Sequence, residues 1–144
     1  MTEAMKLVID SNILISAYSV SGKVHEIWQA GFGHHRLLIS PEIFSEVEKG
    51  LRQVAFELQP AEITLMLKDI LKRCEMVRLK TTYQGEVADE HDRHLVSLAR
   101  EAGADILLTE DCALQKMETV VRPLRVEGIL ILSLTQFLTS LQSS

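Results

Sequence analysis

The chain has little of what small extracellular or membrane proteins depend on. Its two cysteines, Cys74 and Cys112, lie far apart and form no CxxC pair. That argues against a disulfide framework and a cysteine-built zinc site, and reduced thiols fit a cytoplasmic protein. No apolar run approaches the ~18–20 residues of a membrane span, and Met1-Thr2-Glu3-Ala4 lacks the basic start of a signal peptide. A basic excess is also missing. The net charge of -5 disfavours a broad phosphate-gripping face, because phosphate neutralisation supplies most of the affinity of such a surface. It leaves room for a metal-dependent nuclease, since divalent ions at an acidic site reverse the local sign of charge.

At 144 residues the chain reads as one domain, residues 1–144, long enough to bury a core without covalent staples. Glycine and proline fall singly between periodic segments, with no repeat, low-complexity tract or linker. Short Val/Ile/Leu-rich runs predict strands over Lys6–Ile9, Arg36–Ser40, Met76–Lys80, Ile106–Thr109 and Ile129–Leu132. Helical patterns lie between them. Asn12–Ala30 reads as one or two helices interrupted near Ser21-Gly22, and Pro41–Val54 has Ser40 as its cap and Pro41 at its first position. Pro60–Lys72, Asp92–Ala102 ending at Gly103, and Leu134–Leu141 complete the set. Such alternation predicts an α/β fold in three layers, with helices on both faces of a central, mostly parallel sheet. The strand order is not readable.

Four acids, Asp10, Glu46, Asp92 and Asp111, sit at the edges of apolar segments. Asp10 directly follows Leu7-Val8-Ile9, and Asp111 follows Ile106-Leu107-Leu108 by way of Thr109-Glu110. In open α/β sheets ligands bind beyond the carboxyl ends of the strands. Two carboxylates brought there from separate strands repel unless protonated or bridged by a cation. Asp92 falls in line with the apolar stripe Leu95, Val96, Ala99 and Ala102, although a place in the first turn of its helix explains it equally well. Glu46 borders the face made by Ile43, Phe44, Val47 and Leu51, and a glutamate met alone there reads as solvated.

These segments resemble the PIN (PilT N-terminus-like) domain family of metal-dependent ribonucleases, which includes the VapC-like toxins of toxin–antitoxin pairs. The resemblance spans residues 5–140. It is carried by Leu7-Val8-Ile9-Asp10-Ser11-Asn12, by Ser40-Pro41-Glu42-Ile43-Phe44-Ser45-Glu46-Val47, by Asp92-Arg93-His94-Leu95-Val96, and by Ile106-Leu107-Leu108-Thr109-Glu110-Asp111 with its Thr-x-Asp ending. It implies hydrolysis of RNA by water activated on Mg²⁺ or Mn²⁺. Asp10, Asp92 and Asp111 would contact metal, and Glu46 would orient the water or hold a second ion. Asn12 and Thr109 would support them, with capping as the plain alternative. The family often has an acid just before the third position; this chain has His91 there, with Asp89 and Glu90 further back. Asp89, Glu90 and Glu110 are therefore secondary candidates.

The resemblance further implies an RNA substrate, a cognate antitoxin if the chain is such a toxin, and a homodimer, the last also suggested by the apolar excess of Ile63, Leu65, Met66, Leu67, Ile70 and Leu71. His91 and His94, spaced i, i+3, lack a third zinc ligand nearby and stay outside the expected site. Lys116, Arg122 and Arg125 read as a solvated loop able to reach phosphate from the rim, and Trp28 as core or interface. Two other classes compete: a non-catalytic RNA- or protein-binding module on the same fold, and a phosphoacceptor receiver domain, which the absence of a lysine after Ile129–Leu132 disfavours.

Overall fold

Residues buried on both sides of a sheet must be apolar without alternation, and Leu7, Val8 and Ile9 are all buried. They form the centre of β1 (Lys6–Ile9) in a computed structural model that describes residues 4–19, 25–26, 28, 32, 35–54 and 59–142. The other strands are β2 (Arg36–Ile39), β3 (Cys74–Met76), β4 (Ile106–Leu108) and β5 (Leu130–Leu132). All neighbours pair in parallel, in the order β3-β2-β1-β4-β5. The helices are α1 (Ser11–Ser19), α2 (Pro41–Val54), α3 (Pro60–Arg73), α4 (Glu90–Ala102), α5 (Cys112–Lys116), α6 (Glu118–Val126) and α7 (Leu134–Gln142). The result is a three-layer α/β/α fold. α4 packs on β1, β2 and β4 and touches α2, which packs along α1. Among the described residues no helix is long and apolar enough to cross a membrane.

The chain runs outward from β1 to β3 on one side, then returns to β4 and β5 on the other. The order therefore reverses between β1 and β4, and such a switch point opens a crevice at the carboxyl ends of the strands. Register holds the crevice: Ile9 lies opposite Leu108, the Asp10 N–H donates to Leu108 O at 2.9 Å, and the Thr109 N–H donates to Leu132 O at 3.0 Å. Asp10 and Thr109 are thus the first residues past their strands, fixed by the ladder itself.

The third strand, the segment after Asp111 and the start of α4 differ from expectation. The third strand is Cys74–Met76, not Met76–Lys80: α3 ends at Arg73 and the chain enters the sheet at once, with Cys74 opposite Leu37. As an edge strand it carries exposed Glu75, paired with Arg36 at 2.8 Å, and so shows no apolar run. The segment read as a solvated loop holds α5 and α6, which bury Leu114, Val120, Val121 and Leu124. Arg122 and Arg125 are exposed on α6. The fourth helix begins at Glu90, capped by Asp89, whose side chain accepts from Asp92 N. The expected break near Ser21-Gly22 lies outside the described residues. Trp28 is core, its indole N–H donating to Tyr18 Oη at 2.6 Å.

α4 stops at Gly103, whose φ of 63° is left-handed and whose N–H closes on Ala99 and Arg100 carbonyls. An added Cβ would meet nothing within 4 Å, so only backbone strain opposes it. Gly103→Ala is expected to cost about 1 kcal/mol, read as a shifted urea midpoint at constant slope.

Candidate metal and catalytic centre

Asp10 directly follows β1 and caps α1. Its backbone carbonyl accepts from Ile13 and Leu14, and its Oδ1 accepts the Asn12 N–H at 3.0 Å. The side chain is almost wholly buried, at 2% exposure. From β4, Thr109 Oγ1 donates to Asp10 Oδ2 at 2.7 Å, and the same hydroxyl oxygen accepts the Asp111 N–H at 3.1 Å. One threonine thus ties the ends of the two central strands together. Burial would raise the Asp10 pKa, but hydrogen bonds from His91, Thr109 and the Asn12 backbone, with the charge of His91, hold it below the usual carboxylate range.

His91 stands between two of the acids. Its Nε2 lies 2.7 Å from Asp10 Oδ1 and its Nδ1 2.5 Å from Glu46 Oε2. Both partners are acceptors, so the doubly protonated ring satisfies both contacts. The hydrogen bond to Asp10 leads in raising the His91 pKa to about 9, aided by Glu46 and opposed by burial. His94, one turn on, donates from Nδ1 to Glu46 Oε1 at 2.9 Å, and Ser11 Oγ reaches Oε2 at 3.5 Å. Glu46, half-buried on α2, is therefore gripped by two imidazoles and a hydroxyl.

Asp92 is 1% exposed, and among the described residues neither of its carboxylate oxygens has a hydrogen-bond partner. Burial, followed by the charges of Asp89 and Asp111, raises its pKa to about 6, against an opposing effect of His91 that exceeds the further contribution of Asp10. The first-turn position on α4 was one of two readings of the sequence; the structure combines it with burial. An unpartnered buried carboxylate is costly, and it faces other carboxylates. Asp111 caps α5, with Oδ1 accepting from Ala113 and Leu114 N–H groups at 2.9 and 3.2 Å.

The remaining candidates have other employment. The Glu110 side chain is exposed and accepts from Leu134 N at 2.9 Å, at the start of α7. Glu90 is exposed and pairs with Arg93. Asn12 contributes its backbone N–H to Asp10 while its side chain is exposed. His91, set aside from the sequence, is the group that joins Asp10 to Glu46. Its position in place of an acid, one residue before Asp92, was the signal available.

A hard divalent cation suits this donor set: carboxylate oxygens at the crevice, two of them buried and unpartnered. Among the described residues no three acidic, imidazole or thiol groups form a ready-made cage. With His91 between Asp10 and Glu46, an imidazolium supplies the positive charge there.

The sequence profile of the PIN domain matches residues 6–113. The chain belongs to the PIN domain family. Among curated proteins none matches. Two solved structures share the PIN-domain architecture seen here. One is VapBC2 from Rickettsia felis bound to a DNA fragment from their promoter, with a TM-score of 0.61, 15% identity, and 90% of this chain and 98% of that one covered. The other is PAE2754 from Pyrobaculum aerophilum, with a TM-score of 0.56, 16% identity, and 98% and 91% covered. At such identities the likeness speaks to the fold.

Proposed function

We propose that this PIN domain is a ribonuclease that hydrolyses RNA phosphodiesters with Mg²⁺ or Mn²⁺. The observation that carries the reading is Asp92: a carboxylate buried at the switch-point crevice with both oxygens unpartnered among the described residues and three further acids acting on it. A folded protein tolerates such a group when a cation completes it. Asp10, Asp92 and Asp111 would hold the ion. When bound, a divalent ion acidifies water and neutralises charge growing on a phosphate.

The chain's own residues supply orientation. Thr109 and the Asn12 N–H fix both oxygens of Asp10, the capping bonds fix Asp111, and the two histidines with Ser11 hold Glu46. Glu46 would orient the attacking water or hold a second ion. The water oxygen would bond to phosphorus and give up a proton to solvent as the bond to the departing ribose oxygen breaks, and that oxygen would take up a proton from solvent. Asp89 supports the site by fixing the Asp92 backbone.

Manganese-dependent cleavage of RNA is expected to fall about 100-fold or more in Asp10→Asn, with far-ultraviolet dichroism showing a folded variant. Full activity in that folded variant would instead favour a non-catalytic binding module. The likeness to VapBC2 extends the proposal to a cytoplasmic toxin restrained by a small antitoxin protein. The exposed apolar side chains Leu65 and Leu71 on α3 and Met76 on β3 would be candidate contacts for a second copy in a homodimer.

A further inference from the structure

Beside the acidic centre a cleft of about 470 Å³ runs between α1 and α2, lined by Asn12, Ile15, Lys49, Gly50 and Gln53 and reaching Glu46 and His91 at one end. Its α2 wall follows from helical spacing. Glu46, Lys49, Gly50 and Gln53 are related by three, four and seven residues, so they form one stripe, with Gln53 about 10.5 Å along the axis from Glu46. On α1, Ser11, Asn12 and Ile15 face it. The floor is made by close helix approach: a Cβ at Gly50 would fall 2.1 Å from Ile15 Cδ1, so the isoleucine lies across the glycine.

The charges in this cleft are unevenly committed. Glu46 is held by His91 and His94, and Asp89 is engaged as the cap of α4. Lys49 is exposed and has no ion pair among the described residues. A cation free of ion pairs among the described residues, about one turn from the acidic centre, followed by an amide and set over an apolar floor, matches a nucleic-acid strand in chemistry. Phosphate pairs with the ammonium, an amide reaches sugar or phosphate, and a base covers the aliphatic surface. A single strand can turn a base onto that floor, whereas a duplex keeps its bases paired inside.

We propose that this cleft holds single-stranded RNA next to the cleaved bond, with Lys49 pairing to a neighbouring phosphate and Gln53 and Asn12 contacting the backbone beyond it. The proposal rests on the ribonuclease reading and adds the path of the substrate. It makes Lys49 a binding residue whose contact is made equally in ground and transition states, so its loss raises KM and leaves kcat unchanged.

The test uses the full chain and a short fluorescein-labelled single-stranded RNA, with Ca²⁺ replacing the catalytic ion so that binding is read without cleavage. Lys49→Gln is expected to weaken binding about 3- to 10-fold at low salt. It should also flatten the slope of log affinity against log salt by about 0.7, the value for one phosphate contact on a single strand. Lys49→Arg should restore both, and Gln53→Ala should weaken binding without altering the slope. Lys72→Gln, the same charge change on α3, should alter neither. With Mn²⁺, KM should rise for Lys49→Gln at constant kcat. If the wild type cleaves RNA while Lys49→Gln and Gln53→Ala keep wild-type affinity, salt slope and KM, the cleft proposal fails alone. If the wild type neither binds nor cleaves RNA, the ribonuclease reading fails and takes the cleft with it.

Discussion

Asp92→Asn is expected to make the metal-free protein more stable by about 1–2 kcal/mol at pH 8, a rise in Tm of about 2–8 °C for a chain of this size. The gain comes from removing a buried charge. Asp92 has its pKa raised by burial, Asp89 and Asp111 to about 6, against about 3.9 in an unfolded chain. A raised acid pKa means that the folded state holds the proton more tightly than the unfolded state. Stability therefore falls as pH climbs from about 4 to 6, and the full penalty, on the order of 3 kcal/mol, applies above that window. Asparagine keeps the shape and abolishes the titration, but it buries an amide with no partner among the described residues, which offsets part of the gain. Its advantage should shrink as the pH is lowered through 6 towards 4. Mn²⁺ should raise the Tm of the wild type, as any ligand of the native state does, and leave Asp92→Asn nearly unmoved. A variant less stable than wild type at every pH, yet still shifted by Mn²⁺, would make Asp92 a structural acid and remove the main support for a metal centre.

How much of this was legible in the sequence depends on where each signal is written. The two central strands are readable because both their faces are buried, which leaves unbroken apolar runs, Leu7-Val8-Ile9 and Ile106-Leu107-Leu108. Asp10 and Asp111 are readable for the same reason, since a carboxylate just past a buried strand has a defined address. β3 is hidden because Glu75 at a sheet edge meets water and an arginine instead of a core. α5 and α6 are hidden because Lys116, Glu118, Arg122 and Arg125 dilute Leu114, Val120, Val121 and Leu124, and Pro123 interrupts the helical pattern. The strand order depends on which helices cover which face, a tertiary choice that leaves no local mark. His91 is the clearest case. Its two carboxylate partners lie 81 and 45 residues away in the chain, so the one local mark it carries is its place just before Asp92, where the family often has an acid.

That histidine carries the second large expectation: His91→Gln should lower the stability of the metal-free protein by about 2–3 kcal/mol at pH 7 while strengthening Mn²⁺ binding. The ring bridges Asp10 and Glu46, and these contacts, Asp10 foremost, raise its pKa to about 9. A raised base pKa contributes stability that is fully present below about 6.5, the unfolded value, and is lost as pH rises through about 9. The wild type should therefore lose stability between pH 7 and 9.5, and His91→Gln should be flat across that range.

The same charge opposes a cation beside Asp10. Binding at pH 7–8 then requires the ring to give up its proton or leave Asp10, so Mn²⁺ affinity should climb by up to about tenfold per pH unit towards pH 9. Calorimetry in buffers of different ionisation enthalpy should find about one proton released per ion bound in the wild type and none in His91→Gln. Working above pH 7 keeps Asp92 ionised and out of the proton count. In the variant the affinity at pH 7 should rise by about 10- to 100-fold and lose its pH dependence. Equal affinities for both proteins, with no proton released by either, would mean that Mn²⁺ binds without disturbing the Asp10–His91 pair. The cation site would then have to be built on Asp92 and Asp111 alone.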